Sequence, residues 1–411
     1  MDSRQERGLK IANTSRIEKN RLGWRVPSQS GKGSYIVNLD QDSPLCTCPD
    51  FEERHQPCKH IHAVEFVVQR QMGADGAETL TKTMKVTCTQ EWTPYNQAQT
   101  HEQERFVGLL RDLCNGIQQP EYKFGRPRLP LADVVFGLVF KSYSSMSGRR
   151  FTTALKEAQA NGLISKAGHY NSAFNYIENP EMTPLLKALV EQSASPLKSI
   201  ETDFAVDSSG FSTTTYSRWF DHKYGKELSR QKYVKVHVMC GVKTHIVTSV
   251  EASPNETADT VELIPLMHKT AETFAISEVS ADKAYSSRRN LHAIENIGAM
   301  PYIPFKDNAK GTGTKTAYDG LWHKMWLFYN FNKESFYAHY HKRSNVEAVF
   351  SMIKRKFGAS VRAKTPIAQV NEVLCKILCH NICVLIQSIY ELGLEPTFWA
   401  EKPVAQEVIR V

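Results

Sequence analysis

The chain has 411 residues, 41 % hydrophobic and 23 % charged, a globular balance with room for two or three cored domains. Lys and Arg exceed Asp and Glu by 51 to 43, for a formal net charge of +8, which is compatible with nucleic acid and insufficient to establish it. No apolar run is expected to reach the length of a membrane span, so no membrane partner is expected, and no internal repeat or long low-complexity tract is visible.

The amino-terminal stretch MDSRQERGLKIANTSR is polar and lacks an apolar signal core, so no secretion signal is expected and a cytoplasmic setting is predicted. In such a reducing compartment the nine cysteines read as thiols or metal ligands, not disulfides. Three of them crowd into CTCPDFEERHQPCKH, where Cys46, Cys48, Cys58 and His60 form two close pairs of soft or borderline donors. Tetrahedral zinc asks for such a set. GWRVPSQSGKGSYIVNLD before it reads as a β-hairpin turning at SGKG, and HIHAVEFVVQRQ after it as a helix. So small a module has little core, and Zn²⁺ would supply its folding energy. His55 and His62 read as surface residues. The four donors resemble the SWIM type of zinc finger, CxC…CxH, over about residues 20–72; such fingers are associated with both DNA and protein binding.

Residues 73–100 lack helical periodicity and are expected to be a linker with at most one short strand. Helical patterns then run to about residue 198, including HEQERFVGLLRDLCNGI, LADVVFGLVFKSYSS, RRFTTALKEAQANGLI and HYNSAFNYIEN. Helix, tight SMSG turn and helix are compatible with a helix-turn-helix, as with many bundles. Arg126 and Arg128 in GRPR fit an arm lying in a DNA minor groove, or a basic loop before a helix.

From residue 201 the pattern changes to strands. ETDFAVDSSGFS reads as a strand ending at Asp207; KYVKVHVMCGV and HIVTSVEAS alternate; ETADTVELIPLMHKTAETF is helical. FAISEVSADKAYSS is a strand ending at Asp282, RRNLHAIENIGA a helix and MPYIPF a last strand. The basic helix HYHKRSNVEAVFSMIKRKFG follows, with Glu347 at its centre. At about 100° per residue Tyr340, Arg343, Glu347 and Lys354 share one arc, beside an apolar stripe of Val346, Val349, Phe350, Ile353 and Phe357. Glu347 reads either as the last member of a capping box opened by Ser344 and paired with Arg343, or as one of three converging acids. The element order is that of an RNase H-like fold, in which acids on two strands meet a glutamate from a helix. Mutually repelling carboxylates need hard cations between them, commonly two Mg²⁺ about 4 Å apart. Asp203 and Glu278 are rival acids deeper in the same strands. Cys375, Cys379 and Cys383 at helical spacing read as core. Trp322 and Trp326 read as core or as a platform for a base.

These residues resemble the DDE transposases of prokaryotic insertion sequences. The match is the Y-(2)-R-(3)-E-(6)-K signature at Tyr340, Arg343, Glu347 and Lys354, with VDSSGF, ADKAYSS and IPFKDNAKG as companion motifs, over about residues 120–390. The acids are spaced 282 − 207 = 75 and 347 − 282 = 65 residues apart, leaving no room for the large insertion some relatives carry in the second interval. An amino-terminal zinc module is not usual in that family. The resemblance implies Asp207, Asp282 and Glu347 as catalytic ligands of Mg²⁺ or Mn²⁺. It also implies Tyr340, Arg343 and Lys354 as phosphate contacts, double-stranded DNA as partner and at least a homodimer on DNA in a prokaryotic nucleoid. An α+β multidomain protein is therefore expected. Its parts are a zinc module at 1–75, a linker at 76–100, a helical DNA-binding domain at 101–200, an RNase H-like domain at 201–395 and a tail at 396–411. A DNA-binding protein that has lost catalysis, or an RNase H-like nuclease without strand transfer, is the competing expectation.

Overall fold

The computed structural model describes residues 3–29, 33–39, 44–71, 91–121, 124–125, 128–213, 233–253, 258–311 and 319–399. They form two compact units. One comprises the described residues up to Glu102 with Leu197–Glu201 and Leu385–Glu395. The other comprises Gln103–Pro196, Thr202–Val384 and the described residues from Pro396.

In the first unit, helix α1 (Ser3–Thr14) precedes an antiparallel sheet of β1 (Glu18–Asn20), β2 (Gly23–Pro27), β3 (Ser34–Asn38) and β4 (Leu45–Cys46), in that order. The expected hairpin is β2–β3, with Pro27 opposite Ser34; residues 30–32 of its turn lie outside the described residues. Helices α2 (Pro49–Arg54) and α3 (Lys59–Gln71) follow. Ile11, Val26, Val37, Ile61 and Val64 close a core around the cysteines. Helix α1 had no counterpart in the sequence reading. It packs so tightly on α3 that a Cβ at Gly8 would stand 2.8 Å from the His62 Cβ. His62 is accordingly not a free surface imidazole but half-buried, 2.9 Å from Glu65. His55 is exposed and closes α2 with a left-handed φ of 52°. The linker expectation also needs correction: Trp92–Thr100 is a helix, α4, while residues 72–90 lie outside the described residues.

The second unit starts with helices α5 (Glu102–Cys114), α6 (Leu131–Ser144), α7 (Gly148–Ala160), α8 (Tyr170–Ile177) and α9 (Met182–Ala194). Buried Asp133 of α6 is fully engaged, accepting from Arg111 and from the Ser165 and Lys166 amides. A mixed sheet follows, built from β5 (Asp203–Ser212), β6 (Tyr233–Gly241), β7 (Val247–Ser253), β8 (Glu278–Ala281) and β9 (Met300–Tyr302) in the order β7-β6-β5-β8-β9. The hairpin strands β5, β6 and β7 pair antiparallel, whereas β5, β8 and β9 are mutually parallel. Between β7 and β8 runs α10 (Asp259–Ala271), and between β8 and β9 runs α11 (Arg288–Asn296). Helices α12 (Asp319–Phe331), α13 (Lys333–Tyr340), α14 (Ser344–Phe357) and α15 (Pro366–Leu392) complete the fold. This is the RNase H-like mixed sheet flanked by helices that the element order anticipated.

Three expectations change. Strand β5 does not end at Asp207 but runs on to Ser212, pairing with β6 throughout. The single basic helix is two helices, α13 and α14, joined by a 3₁₀ turn at His341–Arg343. Helix α15 is long and apolar enough by composition to cross a membrane, contrary to the reading of the sequence, yet its apolar window is 72 % buried in the protein. It is a core helix: Cys375 and Cys379 have no exposure, and burial pushes the Cys375 thiol up to about 12.

Candidate active site and metal centre

In the first unit, β4 delivers Cys46, the turn into α2 delivers Cys48, and the first residues around α3 deliver Cys58 and His60. All four are buried, and one ligand atom from each lies within 4.8 Å of the others. The His60 Nδ1 stands 3.9 Å from Cys46 Sγ and 3.8 Å from Cys58 Sγ. Zn–N and Zn–S bonds of ordinary length would put such a pair about 3.5 Å apart on a tetrahedron. The Cys46 thiol is pushed up by hydrogen bonding to Cys48 and Cys58 and by burial, so the thiols resist ionising together without a cation. The His60 Nε2 is buried with no hydrogen-bond partner among the described residues. Donors and spacing fit zinc.

In the second unit, parallel pairing of β5 with β8 ends at Val206 opposite Ala281, so Asp207 and Asp282 follow side by side. Asp282 leaves β8 into a 3₁₀ turn, its Oδ1 accepting from the Lys283 amide at 2.5 Å. Asp207 accepts from the Ser208 amide at 2.8 Å and, through Oδ2, from Arg343 at 2.7 Å. The other arm of Arg343 donates to Glu347 Oε1 at 2.5 Å. Burial raises the Asp207 pKa, the Ser208 amide and Arg343 oppose that rise, and the charges of Asp282 and Glu347 reinforce it. The three acids therefore feel one another, and a cation already mediates between two of them.

Helix α14 reaches this position because its predicted stripe, Val346, Val349, Phe350, Ile353 and Phe357, is entirely buried. The segment just after the helix is tied to β5 by Ser212, whose amide donates to Ala359 O and whose carbonyl accepts from the Val361 amide. The capping-box reading fails: the Ser344 hydroxyl donates backwards to His341 O, and Glu347 turns to Arg343. The Arg343 guanidinium lies 5.9 Å from the Tyr340 ring centre. Lys354 donates to Ser209 Oγ at 2.6 Å, and burial lowers its pKa. Asp207, Ser209 and Phe211 alternate onto one face of β5, so the Lys354 position follows from strand periodicity.

The rivals Asp203 and Glu278 sit opposite each other at the start of the β5–β8 pairing. Lys342 bridges them at 2.7 Å to each, and His339 lies 2.9 Å from Glu278, stacked on Tyr302 with ring centres 4.3 Å apart. Burial opposes the Lys342 charge, but its two acidic partners win and its pKa is raised. This clamp holds the turn one residue before Arg343, and the sequence reading missed it. Also missed was a buried pair behind the acids. Tyr285, three residues after Asp282, meets His237 Nδ1 at 2.9 Å. Burial pushes the Tyr285 pKa up and lowers that of His237 to about 4. The alternation of VKVHV could have placed His237 on the inner face, but nothing in the sequence names its partner.

Trp322 is core: it is buried, donates to Lys310 O at 2.9 Å and packs edge-on to Phe305. Trp326 is half-buried. Arg128 is exposed, and Arg126 lies outside the described residues.

Residues 198–382 match the family model described as Transposase DDE domain, and residues 35–69 match that of the SWIM zinc finger. The chain carries a transposase DDE domain and an amino-terminal SWIM zinc finger. No curated protein matches the chain. Among solved structures, a cryo-EM structure of a piggyBac transposase synaptic complex with hairpin DNA is similar over 72 % of this chain and 74 % of that one. The identity is 11 % and the TM-score 0.35. The DDE match spans β5 to α15 and so takes in Asp207, Asp282 and Glu347; the SWIM match takes in Cys46, Cys48, Cys58 and His60.

Proposed function

We propose that this protein is a transposase that cuts DNA at the ends of a mobile element and joins the freed 3′-hydroxyls to target DNA. The observation that carries the reading is the convergence of Asp207 and Asp282 from adjacent parallel strands with Glu347, linked to Asp207 through one guanidinium. The donor set is all hard oxygen, and its need for positive charge is visible in the Arg343 pairing, which fits Mg²⁺ or Mn²⁺. Held by Asp207, Asp282 and Glu347, such ions would activate the attacking water or 3′-hydroxyl and stabilise the leaving oxygen by two-metal-ion chemistry. Arg343 gives up carboxylate contacts and turns to a phosphate oxygen. Lys354, half-desolvated beside Ser209, binds a neighbouring phosphate, and Tyr340 supports the guanidinium.

The helices of residues 101–200 recognise the element ends, with Arg126 and Arg128 as a minor-groove arm. Paired ends call for at least a homodimer, acting in a prokaryotic cytoplasm on the nucleoid. The domain boundaries proposed from the sequence, with catalysis in 201–395, go with this reading.

Labelled duplexes made from the DNA bracketing the gene test it. Wild-type protein with Mg²⁺ should cut at one position. Glu347→Ala and Glu347→Gln should both lose cleavage by orders of magnitude while keeping end binding, because affinity comes mainly from basic residues. Near-wild-type cutting by the Gln variant would remove Glu347 from the chemistry and sink the proposed site.

A further inference from the structure

Beside Asp282 lies an open cavity of about 440 Å³, lined by Asp282, Lys283 and Ala284 from the turn after β8 and by Lys306, Asp307 and Asn308 from the turn after β9. Because β5, β8 and β9 are parallel, the cavity lies beyond their carboxyl ends, the edge where ligands of such sheets bind. It sits one strand beyond Asp282 on the side away from Asp207.

The cations on the two flanks of the acids differ. Towards β6, Arg343 is engaged by Asp207 and Glu347, and Lys354 by Ser209. Lys342, in the turn before α14, and Lys235, on β6, also hold carboxylates. Towards β9, Lys283 and Lys306 are exposed and have no ion-pair partner among the described residues. Asp307 on the cavity rim and Asp282 offset them until a cation neutralises the acids. Asp282 itself spends one oxygen on the Lys283 amide and none on Arg343.

We propose that this cavity is a subsite for a DNA strand, in which Lys283 and Lys306 hold the phosphodiester next to the scissile one on the β9 side. The volume lies in the range of a small-ligand pocket and suits one nucleotide, not a whole duplex. A polyanion crossing the acids must continue past Asp282, and Lys283 and Lys306 are the lysines that line the cavity there. The inference rests on the transposase reading and adds to it which strand-edge residues take the neighbouring phosphate.

The test is a scan in which each of a series of element-end duplexes carries one uncharged methylphosphonate, stepped through the positions flanking the cut. Binding is read by fluorescence anisotropy in Ca²⁺ for full-length wild type, Lys306→Ala, Lys283→Ala and the double variant. Each single variant should weaken binding by about threefold to tenfold and lower the salt slope by about one. At one position close to the cut, the methylphosphonate should weaken wild type but leave Lys306→Ala unaffected. Strictly additive losses at every position, or unchanged affinity in the double variant, would overturn the subsite. Because binding is the readout, those results are separate from a failure of wild type to cleave in Mg²⁺, which would strike the transposase reading instead.

Discussion

The two candidate metal centres solve opposite electrostatic problems. Around Cys46, Cys48, Cys58 and His60, three thiol groups and an imidazole, which need not all carry like charge, are already gathered within 4.8 Å in a buried core. Around Asp207, Asp282 and Glu347, donors charged at neutral pH are half-buried or exposed, and a guanidinium separates two of them. Soft, protonatable ligands can be packed before a metal arrives, at the cost of releasing protons when it binds. Carboxylates cannot be packed together alone, so the protein holds the strand backbones in register and places the Arg343 guanidinium between Asp207 and Glu347. On the proposed reading, metal makes the fold at the first centre, whereas at the second the fold would be in place before a divalent ion binds.

The largest expected effect breaks that comparison if it fails. Structural zinc contributes on the order of 10 kcal/mol to folding, comparable with the whole stability of a small domain. Stripping metal from the full chain should therefore abolish hydrogen-exchange protection of β2, β3 and α3, while β5, β6 and β8 keep theirs. Metal analysis should return one zinc per chain beforehand. Persisting protection of Val26 and Val37 in metal-free protein would show that the cysteines are simply core.

What the sequence disclosed follows the same divide. The zinc donors were legible because ligand chemistry and spacing are local, four residues within a short run. The candidate acids stood out through motif spacing and, for Asp282 alone, through the end of a strand pattern; that Asp207 lies inside a strand running on to Ser212 was not legible. Nor was the 3₁₀ turn between α13 and α14, since Tyr340 to Lys354 fits one helical arc on paper; the Lys342 clamp sits within that turn. The Tyr285–His237 pair joins residues far apart in sequence, and no local pattern encodes such a partner. Helix α1 was missed because most of its residues are polar; Ile11, Ala12 and the close approach at Gly8 mark its packed side.

A second, smaller effect sharpens the contrast by asking what the fold of the DDE unit does depend on. His380 is 4 % exposed and donates through Nε2 to His245 O at 2.9 Å; burial lowers its pKa from 6.5 to about 4. Lowered folded pKa means that its stabilisation is present above the unfolded value, about 6.5, and is lost as pH falls towards 4. The loss is at most about 3 kcal/mol for this residue, with buried His237 acting in the same window and direction. The melting temperature of the DDE unit should thus fall between pH 6.5 and 4, and His380→Gln should flatten the fall. An unchanged slope in that variant would remove His380 as its source.

The smallest expected effect concerns how the carboxylates are held without metal. Tyr285 is fully buried; its amide donates to Asp282 O at 2.9 Å and its hydroxyl meets His237, which is paired with Ser208, the neighbour of Asp207. One side chain thus ties the backbone after each acid to the other from behind the sheet. Tyr285→Phe keeps the ring, removes that tie and leaves a buried imidazole nitrogen short of a partner, for about 1–3 kcal/mol of stability. A purely structural role ends there. If the tie sets the separation of Asp207 and Asp282, Mn²⁺ binding measured by calorimetry on the full chain should also weaken, by about tenfold, while DNA affinity without metal stays as in wild type. His237→Asn should weaken Mn²⁺ binding similarly, and the double variant no further, because both changes cut one link. A lowered melting temperature with unaltered Mn²⁺ affinity would leave Tyr285 as core alone and place the whole burden of spacing the acids on the strand register and Arg343.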